Sequence, residues 1–244
     1  MEIAVLTSGS SGNCYRVSDG HTSLLLECGI PFKEIQKKLN FQLHEIDACL
    51  VSHEHQDHAK AVKELLKYGI EVCMSTGTAT MFDCDLLKIT TVEPLQQFKV
   101  GTFEILPFST EHDTAEPIGF LIYSTVIKEK LLFATDTYYV RYRFSGLNYI
   151  MVECNYSMDI LNKNVEAGLV ESALKSRILK SHFSLENVKR FLQANDLSKV
   201  EAIFLLHLSD GNSDAERFKR EVMELTGKPV YIALERGEID AYTL

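Results

Sequence analysis

Three imidazoles and an aspartate fall within six residues, His53-Glu-His-Gln-Asp-His58, directly after the apolar run Cys49-Leu-Val51. That run reads as a buried strand. In an extended chain alternate side chains share a face, so His53 and His55 can aim at one point. Asp57 and His58 follow where the chain turns into a helix, and can aim at a second point close by. Neutral imidazole nitrogens and a carboxylate are the usual ligands of a borderline divalent cation. Two such pairs side by side point to two metals. A solvated polar loop is the commoner reading of any histidine-rich stretch, but three of only eight histidines lie in this one.

Three more ligand-type residues share a position in the chain. His112 follows the apolar run Phe103–Phe108, Asp136 follows Leu131–Ala134, and His207 ends Ile203–Leu206. Taken singly, each is more often a structural histidine or an ordinary turn residue. Together they repeat one arrangement, a polar side chain just past the end of a buried strand. Open α/β sheets gather their functional residues at one edge in this way.

The elements that must position these groups are legible from patterning. Strands are expected over 2–7, 14–18, 22–28 and 70–74, with Asp19-Gly20 as a turn. Pro31 suits the first turn of a helix running to Leu39. A single amphipathic helix from His58 to Tyr68 is closed by Gly69. A short helix over Thr76–Phe82 leads into a stretch, 83–101, of short strands and turns. Further on come a strand at 149–153, a helical stretch at 158–175, and a helix Ser184–Ala194 capped by Ser184. Ser213-Asp-Ala-Glu216 reads as a capping box for a helix to Thr226, and strands at 229–233 and 238–242 close the chain. No linker or repeat interrupts 1–244, which predicts a single domain.

At 244 residues and 45% apolar, the chain can bury one large α/β core. A net charge of −9 argues against coating nucleic acid by bulk electrostatics, while leaving room for a local basic track. Arg141, Arg143 and Arg177 could form such a track, with Tyr138 and Tyr139 as stacking platforms, although a solvated face is the commoner use. Cys14, Cys28, Cys49, Cys73, Cys84 and Cys154 contain no C-x-x-C pair and sit mostly in apolar runs, as buried free thiols do. No apolar stretch is long enough to span a membrane, and the first residues read as a strand, not a signal peptide. The expectation is a cytoplasmic protein with no membrane partner.

The series His53-x-His55-x-Asp57-His58, His112, Asp136 and His207 resembles the ligand set of the metallo-β-lactamase superfamily. That resemblance implies a four-layer αββα sandwich. It also implies that His53, His55 and His112 hold a first metal, that Asp57, His58 and His207 hold a second, and that Asp136 bridges them. Ser8-Gly-Ser-Ser-Gly-Asn13, His112-Asp113 with Glu116-Pro-Ile-Gly119, Glu153-x-Asn155 and His207-Leu-Ser209 are similar to the YycJ/WalJ-type branch, whose members are regarded as DNA exonucleases. Where that branch tends to read Gly-His-Leu-Ser-Asn, this chain has Ser181-His-Phe-Ser-Leu185.

The chemistry follows from the ligands. Two divalent ions sharing a water lower its pKa toward neutrality and supply a bridging hydroxide as nucleophile. Zinc suits the histidines best, and the two aspartates admit manganese. Asp57 and His182 are the expected catalytic residues. His182 precedes a helix N-terminus and either binds a scissile phosphate or protonates the leaving oxygen. A surface histidine beside Lys180 is the competing reading. Asp113 either orients an imidazole or caps a turn. Ser10, Ser11 and Asn13 offer hydroxyls and backbone amides to a phosphate. The leading expectation is a two-metal phosphodiesterase or nuclease with DNA favoured, and digestion from the 5′ end is what the resemblance implies. The alternatives are a thioesterase or lactonase of the same fold, and a binding module without turnover.

Overall fold

Short apolar runs separated by turn residues form thirteen strands and eight α-helices among the described residues of the computed structural model, which are 1–82 and 89–233. Cys84 and the strand expected at 238–242 lie outside them. The chain condenses into two units. One comprises Met1–Ser109 and Thr114–Glu129, the other Thr110–Asp113 and Lys130–Ala233.

The N-terminal unit contains a six-stranded sheet in sequence order: β1 (Glu2–Thr7), β2 (Cys14–Ser18), β3 (Ser23–Leu26), β4 (Ala48–Leu50), β5 (Glu71–Ser75) and β6 (Ile89–Val92). The first two pairings are antiparallel and the last three parallel. Strands β3 and β4 are wholly buried and read as unbroken apolar or small-residue runs, as parallel strands covered on both faces should. Helices α1 (Phe32–Lys38) and α3 (Val62–Tyr68) bury Ile35, Val62 and Leu65 in a core with Cys49, Val51 and Val72. Strands β7 (Phe98–Val100), β8 (Phe103–Ser109) and β9 (Ile118–Ser124) form an antiparallel meander.

A buried carboxylate ties the meander to the first sheet. Asp19 accepts from the amides of His21 and Thr22 and from the hydroxyls of Thr102 and Ser124, at 2.6–3.0 Å. Burial alone pushes its pKa up, but these four donors prevail and hold it below the ordinary aspartate value. The expected Asp19-Gly20 turn is therefore present, with a second role the local sequence does not show.

In the C-terminal unit β10 (Lys130–Ala134), β11 (Tyr149–Glu153), β12 (Ala202–Leu206) and β13 (Val230–Ile232) are all parallel. Every residue of β11 and β12 is buried. The connections carry α5 (Met158–Glu166), α6 (Ser172–Ser181), α7 (Leu185–Gln193) and α8 (Ala215–Thr226).

Several elements differ from expectation. The helix expected over 58–68 is two, α2 (Gln56–Ala59) and α3. A continuous helix would use the Asp57 and His58 carbonyls for the amides of residues 61 and 62. Instead Asn13 N takes the Asp57 carbonyl at 2.7 Å, Cys28 N takes that of His58 at 2.8 Å, and Ala61 N turns to the Cys28 carbonyl. The stretch at 158–175 divides at Gly168, whose φ of +72° ends α5, and α6 runs on to Ser181. The cap of α8 is Asp214, accepting from Arg217 N at 3.0 Å, because the Ser213 hydroxyl is drawn back to the Ser209 carbonyl. Strand β9 was not anticipated at all. Ser184 caps α7 as expected, accepting from Asn187 N.

Candidate metal centre

In the N-terminal unit, β4 runs straight into the histidine cluster through buried Val51 and Ser52. His53 Nε2 and His55 Nδ1 face each other at 3.2 Å, and Ser52 Oγ lies 2.8 Å from His53 Nδ1. With the hydroxyl accepting from Nδ1–H, His53 keeps its Nε2 lone pair toward His55. The next pair is slightly wider, with Asp57 Oδ2 3.4 Å from His58 Nε2. The two side-chain pairs predicted from strand alternation and the following turn therefore exist.

What holds them was not apparent beforehand. Asn13 is fully buried. Its Oδ1 accepts from Gly9 N and the Tyr15 hydroxyl, and its Nδ2 donates to the Asp57 carbonyl and sits 3.2 Å from His58 Nε2. His58 Nδ1 faces Glu27 Oε2, 3.6 Å away. Glu27 is itself buried and accepts from Ser52 N at 3.1 Å. Burial pushes its pKa up, against the opposing pull of His58 and Ser52. Gly29 crosses so near the start of α2 that a Cβ would lie 1.7 Å from the Asp57 carbonyl oxygen. Only glycine fits. Cys14 and Cys49, also buried, are pushed far up by burial, so neither offers a thiolate ligand.

In the C-terminal unit, Asp136 and His207 follow β10 and β12 with φ of +38° and +50°. Left-handed backbone at non-glycine residues is uncommon and gathers at functional sites. His207 Nδ1 lies 2.6 Å from Asp136 Oδ1. His112 Nδ1 donates to the Ser181 carbonyl at 2.8 Å, which leaves Nε2 as its lone-pair nitrogen, 3.7 Å from Asp136 Oδ2. His182 Nδ1 lies 2.6 Å from Glu153 Oε1, and the other oxygen of Glu153 accepts from Thr137 N and Phe183 N. One ligand atom each from Asp136, Glu153, His182 and His207 lies within 4.8 Å of the others. Asp113, taken in the sequence as an orienting or capping residue, accepts from Ser181 Oγ at 3.0 Å and from Arg177 Nε at 3.3 Å. Burial opposes these donors, but with His112 and Arg177 nearby the net effect lowers its pKa.

This donor set fits divalent cations. Imidazole nitrogens with defined lone pairs converge beside buried carboxylates, Asp136 and Glu153, whose contacts within the unit are histidines, hydroxyls and amides, not lysines or arginines. Buried negative charge of this kind calls for a cation. Ser10 and Ser11 are exposed on the β1–β2 loop, whereas Asn13 braces α2 from within. Glu27 and Glu153 had no assigned role. Their shared local signal is a carboxylate ending or just following an otherwise apolar buried strand, and Glu153 also stands in Glu153-x-Asn155.

Residues 23–208 match the family described as the β-lactamase superfamily domain. The exodeoxyribonuclease YycJ of Bacillus anthracis is 28% identical over 242 residues, covering 92% of this chain and 89% of that protein. The exodeoxyribonuclease WalJ of Streptococcus pneumoniae is 29% identical over 231 residues, covering 87% and 83%. Among solved structures, the metallo-β-lactamase fold protein YhfI of Bacillus subtilis aligns over 97% of both chains with a TM-score of 0.72 at 17% identity. The α/β sandwich class implied by the ligand series is thus the class of its structural relatives. With its histidine and aspartate clusters able to bind metal ions, the chain is a hydrolase that belongs to the metallo-β-lactamase superfamily.

Proposed function

We propose that this protein is a two-metal phosphodiesterase acting on nucleic acid, with DNA as the favoured substrate and digestion from the 5′ end. In this reading His53, His55 and His112 would hold one ion, Asp57, His58 and His207 would hold the other, Asp136 would serve both, and 1–244 works as one catalytic domain in the cytoplasm. When bound, the ions acidify water and neutralise charge on a phosphodiester, with zinc preferred over manganese on ligand type. The chain's own residues do the rest. Glu153 stabilises a proton on His182, and His182 Nε2 gives it to the departing oxygen. Glu27 faces His58 Nδ1 and Asn13 braces the turn through the Asp57 carbonyl, so together they orient the His58 ring. Ser10 and Ser11 contact phosphate oxygens.

The observation that carries this reading is the carboxylate-backed imidazole of His182 in the same cluster as Asp136 and His207. A thiolate leaves without a proton, since a free thiol has a pKa of about 8.5. A sugar oxygen is a far more basic leaving group and needs an acid at that place. The two exodeoxyribonuclease relatives support the same choice, because they match nearly the whole chain. The test is to incubate metal-loaded protein with 5′-labelled single- and double-stranded DNA, with RNA and with a thioester. Stepwise products from the labelled DNA end are expected. Thioester cleavage without nucleic-acid cleavage would overturn the proposal, and full metal occupancy with no turnover would make the protein a binding module.

A further inference from the structure

Helix α6 is the outlier among the helices. Its ten residues bury only Ser181, the last one. Helices α7 and α8 by contrast bury apolar stripes, Val188 and Phe191 in one, Phe218 and Val222 in the other. Leu174 of α6 is exposed, and so is Leu169 in the turn before it. Charge sets α6 apart as well. Lys175, Arg177 and Lys180 lie on it with no carboxylate, the only described helix to combine cations with none, in a chain of net charge −9. The helix dipole explains a lysine near the C-terminus but favours acids in the first turn, where α6 has none.

The exposed helix is joined to the candidate centre through its last turn. Ser181 gives its carbonyl to His112 Nδ1 and its hydroxyl to Asp113, and Arg177 reaches the other oxygen of Asp113. The residue after Ser181 is His182, held by Glu153. A ligand lying along α6 would therefore lead to the loop of His112 and to the imidazole proposed as acid.

We infer that α6 is the docking element for single-stranded nucleic acid, taking backbone phosphates on Lys175 and Lys180 and leaving the exposed leucines for the apolar faces of unpaired bases. This rests on the phosphodiesterase reading. Arg177 is already engaged by Asp113, so the two lysines are the residues to change. Positive charge and apolar surface side by side match an unpaired strand, whose bases are open to contact. A duplex presents its phosphates but keeps those faces stacked away.

The test measures binding, not turnover. Metal-loaded protein is titrated into a fluorescent single-stranded oligonucleotide with phosphorothioate linkages that resist cleavage, at several salt concentrations. Lys175→Glu/Lys180→Glu should weaken binding by about tenfold near 0.1 M salt, and the log–log salt slope should shrink by about 1.4 for two lost phosphate contacts. Lys175→Gln/Lys180→Gln, with helicity checked by circular dichroism, should give a smaller loss in the same direction. The control Lys33→Glu/Lys37→Glu on α1 makes the same change in net charge and should leave affinity unchanged. Unaltered binding by the α6 variants, or equal losses in α6 and control, overturns the docking element while the phosphodiesterase reading stands. Wild-type protein that cleaves only a thioester and binds no oligonucleotide overturns both.

Discussion

At the scale of single residues, the division of labour is set by which partner meets each histidine ring. A carbonyl takes His112 Nδ1, a hydroxyl meets His53 Nδ1, and an amide donor sits against His58 Nε2. His182 differs, since its partner is a fully buried carboxylate. A carboxylate held against Nδ1 fixes the orientation of the ring, which suits a group that delivers a proton. His182→Ala should lower kcat by roughly a hundredfold or more with KM little changed, because general acid catalysis contributes on that order. Metal content by mass spectrometry should match wild type. Loss of an ion would make His182 a ligand and remove it from the acid role.

At the scale of elements, the metal motif depends on a crossing of three chain segments. The β1–β2 loop through Asn13, the end of β3 through Cys28 and Gly29, and α2 share hydrogen bonds that stop α2 after one turn. That early stop places Asp57 and His58 on a short rigid turn instead of a long helix face. Gly29→Ala puts a methyl group where the Asp57 carbonyl oxygen lies. We expect a loss of about 3 kcal/mol in stability, at the upper end of overpacking effects, measured by urea unfolding. Metal affinity should fall with it. An alanine variant with wild-type stability would show that this crossing does not hold α2.

At the scale of the whole molecule, ions that bind the folded chain stabilise it by mass action. An ion at a free concentration about a thousandfold above its Kd adds about 4 kcal/mol. For a chain of this size, chelation should then lower Tm by roughly 10 °C, and added zinc or manganese should restore it. A melting temperature indifferent to chelator would argue against resident metals. No described helix is long and apolar enough to cross a membrane, and five buried free cysteines match the thiol pattern expected from their apolar neighbours.

The candidate residues were legible because strand alternation and strand ends are local properties. His53 and His55 two residues apart, and Asp136 and His207 just past apolar runs, need no knowledge of the rest of the chain. Most strands were legible for the same reason, with β9 the exception. Hidden from the sequence were the groups that act across long separations: Asn13 on Asp57, Glu153 on His182, and the Cys28 backbone that divides one expected helix into α2 and α3. A side chain's periodicity shows which way it points, but its hydrogen-bond partner is chosen only when distant segments meet. Residue order therefore determined the kind of chemistry available, and tertiary packing decided which nitrogen, carboxylate and helix end would take part in it.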